Sequence, residues 1–175
     1  LFRSLDDIRA FNYLQQKAMS VFATEAVQAA LKREFHYIFS EVRYPGIPKI
    51  DLFTIDQHPF SVGDISMLPI PVMHLNLPVL GFRIGSFSYV TDANFISESS
   101  KELLKGSKVL VLNALRKEKH ISHFTLDEAI ELAEELKPEQ TFLTHISHQL
   151  GKQADLEKDL PASIRLAYDG LKVEI

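Results

Sequence analysis

The spacing of hydrophobic positions changes several times along the chain, and each change marks an element. Val21-Phe22-Ala23 is a short apolar run ending at Thr24, whose hydroxyl suits a helix N-cap, and Val27, Leu31 and Phe35 then recur at helical spacing. A strand followed by an amphipathic helix over residues 24–35 is predicted, the start of an α/β layer. Residues 5–11 show no clear period and read as a solvated turn, with Asp6, Asp7 and Arg9 as loop residues that a nearby site can use. After the break Tyr44-Pro45-Gly46-Ile47-Pro48, residues 50–55, 67–72, 79–84 and 87–91 read as strands of a meander or part of a sheet, with turns at Gly63-Asp64 and at 76–78.

The second half is more strongly patterned. A helical turn is expected at 101–104. Residues 109–112, VLVL, form an unbroken apolar run and so a strand buried on both faces. Thr125 with Glu128 makes a capping box, Leu126, Ala129, Ile130, Ala133 and Leu136 give the helix its apolar face, and Pro138 stops it. Residues 141–144, TFLT, are a second buried strand. A polar, helical stretch leads to a strand at 164–167, and Tyr168-Asp169-Gly170 before residues 171–175 predicts a terminal hairpin. His36 falls at the tail of the first helix, where the dipole favours it, and His58 beside Pro59 reads as structural or exposed.

Composition narrows the class. A chain of 175 residues, 46% hydrophobic and 24% charged, suffices for one globular domain, residues 1–175, with its own core. A net charge of -4 argues against a general nucleic-acid or membrane surface, and no run approaches the length of a membrane helix. The absence of cysteine excludes disulfides, thiolate metal sites and cysteine nucleophiles and fits a cytoplasmic protein. Any metal must then be held by His, Asp or Glu, which favours zinc, manganese or iron.

Candidate chemistry gathers at strand ends. His74 follows Val72-Met73, Asp92 follows Tyr89-Val90-Thr91, His120 and His123 lie in the loop after residues 109–113, and His145 and His148 follow TFLT. Each has a plain structural reading: His74 as a satisfied loop histidine, Asp92 as an Asx turn onto Asn94, His123 as a residue ahead of a helix cap. Four successive strands releasing His or Asp at the same kind of position point instead to one sheet edge, where α/β proteins build their sites. His74, Asp92 and His145 offer two nitrogens and a carboxylate able to bridge two cations. Such a pair of metals, about 3.5–4 Å apart, activates water for hydrolysis. His123 is left to bind or protonate a leaving oxygen.

His74, GFRIGSFSYVTDAN (81–94), NALRKEKHISHFTLDEA (113–129), LTHISHQLG (143–151) and LAYDGLKVEI resemble the later motifs of the metallo-β-lactamase superfamily. The branch they look most like is the cyclic-phosphate phosphodiesterases of the carbon–phosphorus lyase pathway, with tRNA 3′-end nucleases as relatives. The resemblance implies an α/β fold, a four-layer αββα sandwich with a dinuclear zinc or manganese site between its sheets. It implies His74 as ligand of one metal, Asp92 as the bridge, His145 as ligand of the second, and His123 as the contact to the scissile phosphate. His120 and His148 receive no role from it.

The family's HxHxDH motif is absent. It normally precedes a segment that LDDIRAFN (5–12) resembles, and the chain opens without an initiator Met. An N-terminal portion on the order of a third of a typical domain is therefore expected to precede residue 1. The expectation is an empty or partly filled site in these residues and a dinuclear phosphodiesterase in the intact protein, acting on a small cyclic or linear phosphodiester, with a homodimer allowed. The alternatives are a lactone, thioester or RNA as substrate at the same site, or a non-catalytic scaffold that has lost its metal. The acidic balance counts against RNA.

Overall fold

The computed structural model describes residues 4–40 and 46–174. Tyr44 and Pro45 of the expected break, and Ile175 of the expected hairpin, lie outside them. The chain divides into two compact units, Leu1–Asp56 and Gln57–Ile175.

The first unit contains α1 (Ser4–Gln15), β1 (Met19–Ala23), α2 (Glu25–Glu34), α3 (His36–Phe39) and β2 (Ile50–Thr54). The solvated turn expected at 5–11 is instead most of α1. Asp6 and Asp7 occupy its first turn, where the helix dipole favours carboxylates. Asp6 accepts a hydrogen bond from the Tyr37 hydroxyl, and Asn12 binds Lys17 O, Lys49 O and Lys49 N, so these polar groups support the helix rather than a loop.

β1 and β2 pair in parallel from Met19↔Ile50 to Ala23↔Thr54, so residues 50–54 belong here and not to the meander. Thr24 caps α2 as expected, accepting from Val27 N. The buried face of α2 differs from the expected one: Val27 is 50% exposed while Gln28 is buried. Gln28 Nε2 donates to Ala23 O and Thr54 Oγ1, each at 3.1 Å, which satisfies the buried amide and ties the helix to both strands. His36 opens the short α3, one residue past the α2 C-cap Phe35.

The second unit is built on one seven-stranded sheet whose strands neighbour each other in chain order: β3 (Phe60–Val62), β4 (Ile65–His74), β5 (Leu77–Ile84), β6 (Phe87–Val90), β7 (Val109–Asn113), β8 (Gln140–Thr144) and β9 (Ile164–Leu166). The short β3 was not foreseen. β3 to β6 alternate in direction, and β6 to β9 run parallel. The parallel strands are connected through α4 (Glu98–Leu104), α5 (Leu126–Leu136) and α6 (Gln153–Leu156). Every residue of β7 is buried, as its unbroken apolar run demands. Leu126, Ala129, Leu132, Ala133 and Leu136 of α5 join Ile70, Val72, Leu110, Leu112 and Leu143 of the strands in one core. Both halves of the Thr125–Glu128 capping box form.

Among the described residues the terminal hairpin does not form. Gly170 adopts φ +89° and Leu171 N bonds Tyr168 O at 3.0 Å, but residues 171–174 are not a strand. Lys172, Val173 and Glu174 are exposed, so the alternating run has no apolar face to bury.

Two positions test the packing. A Cβ on Gly81 would lie 2.8 Å from Val90 Cγ2 and 2.9 Å from Tyr89 O, so β5 and β6 approach only because this residue is glycine. Gly81→Ala is expected to cost about 1–3 kcal/mol, read by denaturant unfolding. Thr141 Oγ1 is buried without a hydrogen-bond partner. Thr141→Val is expected to leave stability unchanged or raise it by about 1 kcal/mol in the same measurement.

Candidate metal centre

Strand direction brings the candidate residues together. β4 and β6 are both antiparallel to β5, and β7 and β8 run parallel to β6, so all four strands end at the same edge of the sheet. His74 is the last residue of β4, Asp92 follows β6, His120 and His123 lie between β7 and α5, and His145 follows β8. The backbone turns sharply at these ends. Asp92 (φ 54°), His145 (φ 56°) and Leu75 beside His74 (φ 56°) are all left-handed. Asp and His tolerate this region better than most residues, whereas Leu75 needs external support.

That support comes from side-chain amides. Asn113, fully buried at the end of β7, accepts from Ala93 N and donates to Ala93 O, both at 2.9 Å, and so grips the residue after Asp92. Asn94 Oδ1 accepts from Leu75 N at 2.7 Å, and its Nδ2 donates to Ile121 O at 3.2 Å. Main-chain bonds extend the lattice: Phe124 N to Ala93 O, Leu115 N to Phe124 O, and Ser147 N to Leu115 O. Arg116 donates to Glu118 O and Lys119 O in its own loop and to Gln149 Oε1 in the loop beyond His145.

At the centre, one carboxylate oxygen serves two imidazoles. Asp92 Oδ1 lies 3.1 Å from His123 Nε2 and 3.0 Å from His145 Nε2. The His123 ring stacks on His145 with centroids 4.7 Å apart and meets His74 edge-on at 4.8 Å. On its other side, His123 Nδ1 faces Ser122 Oγ at 2.9 Å and His120 Nδ1 at 3.1 Å. Desolvation holds the His123 pKa below the ordinary histidine value and outweighs the Asp92 hydrogen bond, which acts the other way; the neighbouring His145 and His74 lower it further.

The structure therefore gathers His74, Asp92, His123 and His145, all four of the residues singled out in the sequence. His120 joins them through His123, while His148 stands exposed on the following loop. His74, Asp92 and His123 each offer a ligand atom within 4.8 Å of the others, a nitrogen–nitrogen–oxygen set that fits zinc or another first-row divalent ion. His145 is as close to Asp92 as His123 is, so neither imidazole stands apart from the cluster. Sequence reasoning missed Asn94, Asn113 and Ser122 as supports. A buried apolar strand ending in Asn113 was the one available signal.

Residues 2–146 match the model of the beta-lactamase superfamily domain. The chain is similar to the crystal structure of a diphosphatase from the PhnP family, with 35% identity and a TM-score of 0.88, over 98% of this chain and 65% of that one. It is similar in fold to human tRNase Z, short form, at 15% identity and TM-score 0.66, over 99% of this chain and 74% of that one. A Porphyromonas gingivalis protein named octanoyltransferase is 32% identical over 173 residues, 98% of this chain and 35% of that protein. The chain thus spans about a third of that relative and just under two thirds of the PhnP-family structure. No helix among the described residues is long and apolar enough to cross a membrane. The mixed α/β architecture, with its sheets flanked by helices, is the metallo-β-lactamase fold, and the chain belongs to the beta-lactamase superfamily.

Proposed function

We propose that this chain carries part of the active site of a metal-dependent hydrolase that cleaves a phosphorus–oxygen bond in a small phosphodiester or diphosphate. The observation that carries the reading is the Asp92 oxygen held 3.0–3.1 Å from two imidazoles, with His74 completing a ligand set at one sheet edge. Similarity to a PhnP-family diphosphatase over nearly the whole chain supports a phosphoryl substrate. The likeness to tRNase Z supports the fold alone, and the net charge of -4 weighs against a long polyanion. Nothing in the cluster favours octanoyl transfer.

His74, Asp92 and His145 would hold the metal, with Asp92 between its neighbours. Divalent ions bound there supply positive charge and Lewis acidity at neutral pH. The chain's own groups do the rest. Asp92, acceptor-only when ionised, fixes the orientation of the imidazoles around it. His123, partly buried and neutral near pH 7, has Nε2–H on Asp92 Oδ1 in this structure, while Ser122 and His120 face its other nitrogen; with Asp92 turned to a metal, that Nε2–H would be freed to donate to a phosphoryl oxygen. A depressed pKa suits this contact better than delivery of a proton to the leaving oxygen, so of the two roles open to His123 the binding role is preferred.

Full-length protein loaded with zinc or manganese is expected to retain at least one ion per chain and to hydrolyse bis-p-nitrophenyl phosphate or a diphosphate. Asp92→Ala should abolish metal retention, and His123→Ala should lower kcat about 10²–10³-fold. Turnover of a thioester or lactone with no phosphoryl hydrolysis would overturn the reading.

Acidity gives a separate check on His123. Its folded pKa is depressed, so the unfolded chain takes up a proton that the folded site resists. The associated stability is complete above the unfolded value of about 6.5 and is lost as pH falls from there toward the folded pKa. Thermal melts of the metal-free protein should show Tm falling from pH 7.5 to 5.5, with a smaller fall in His123→Gln.

A further inference from the structure

The geometry points to Asn94 as a positioning residue that sets metal affinity by tying the loops of the ligands His74 and Asp92 to each other and to the His123 loop; this rests on the metal-centre reading above. Its side chain spans two of them, with Oδ1 taking the Leu75 N–H and Nδ2 giving to Ile121 O. Its own backbone lies on the third, two residues after Asp92. Leu75 is the residue after His74, and Ile121 sits between His120 and His123. The main chain reinforces the first tie: Asn94 N bonds Met73 O at 2.9 Å and Met73 N bonds Phe95 O at 3.0 Å, an isolated bridge just ahead of His74.

Two features separate this amide from an ordinary loop staple. First, the Leu75 bond is made where Leu75 holds φ 56°, a conformation that a leucine does not keep without help. Release of that bond lets the backbone after His74 relax and the imidazole swing. Second, Asn94 is only partly buried, whereas Asn113 is fully enclosed and grips a single residue. Asn94 therefore contributes less to the core and more to the spacing of the ligands His74 and Asp92, with His123 beside them. Groups that orient metal ligands in this way typically change affinity about 10–100-fold when removed.

The test compares full-length wild type with Asn94→Ala, and with Asn94→Ser, whose shorter hydroxyl cannot bridge both gaps, as a second variant should the first fail to fold. Zinc affinity is measured by chelator competition, and Tm is measured with and without zinc. The expected result is a 10–100-fold loss of affinity and a smaller zinc-induced rise in Tm, with the cobalt-substituted protein showing altered visible absorption bands. A purely structural role would lower the melts with and without zinc together and leave affinity, increment and cobalt spectrum as in wild type, which overturns the proposal while the metal reading stands. If wild type itself takes up no zinc, the metal reading falls and the role of Asn94 falls with it.

Discussion

Crowding of imidazoles around a single carboxylate is the constraint that shapes this structure. Asp92 Oδ1 lies within 3.1 Å of two histidine nitrogens, and a third ring packs edge-on against one of them. The depressed pKa of His123 comes first from desolvation, and the neighbouring His145 and His74 act in the same direction. So tight a cluster requires each ring to be held in one orientation. The loops around it do this work: Asn113 on Ala93, Asn94 on Leu75 and Ile121, Arg116 across two loops, and Ser122 on His123.

The same demand explains where the backbone is least comfortable. Left-handed residues stand at or beside His74, Asp92 and His145, each at the end of a strand pointing the same way. A strand that continued straight would carry its side chain past the site; a reversal at that point turns it inward. Strain of this kind persists where packing over-determines it, and here β7, buried throughout, and the apolar face of α5 supply the rigid floor.

How legible all this was in the sequence depended on how local each signal was. Three of the four candidate residues, Asp92, His123 and His145, could be read because strands of the parallel region are marked by apolar runs, against which chemistry at their ends stands out; His74 ends the antiparallel β4. The capping box at Thr125 and Glu128 and the stop at Pro138 were equally local. The first helix was missed because Phe11 and Leu14 remain exposed, so its apolar residues trace no clear stripe. The hairpin after Gly170 was over-read because a turn signal says nothing about whether the returning strand has a surface to cover. The buried face of α2 was misjudged because Gln28 hides an amide that only tertiary contact satisfies. Asn94 and Asn113 act across distances in sequence that no motif records.

The strand order of the larger unit has a temporal side as well. Each strand of that sheet lies beside its predecessor in the chain, so the sheet is able to grow outward from β3 as residues are synthesised. His74 and Asp92 are laid down early, on strands β4 and β6, but the imidazole that shares the Asp92 oxygen arrives only when β8 has been added beside β7. Until β8 docks, the Asp92 oxygen therefore has only the His123 imidazole beside it, and the cluster closes through a contact that spans more than fifty residues of chain.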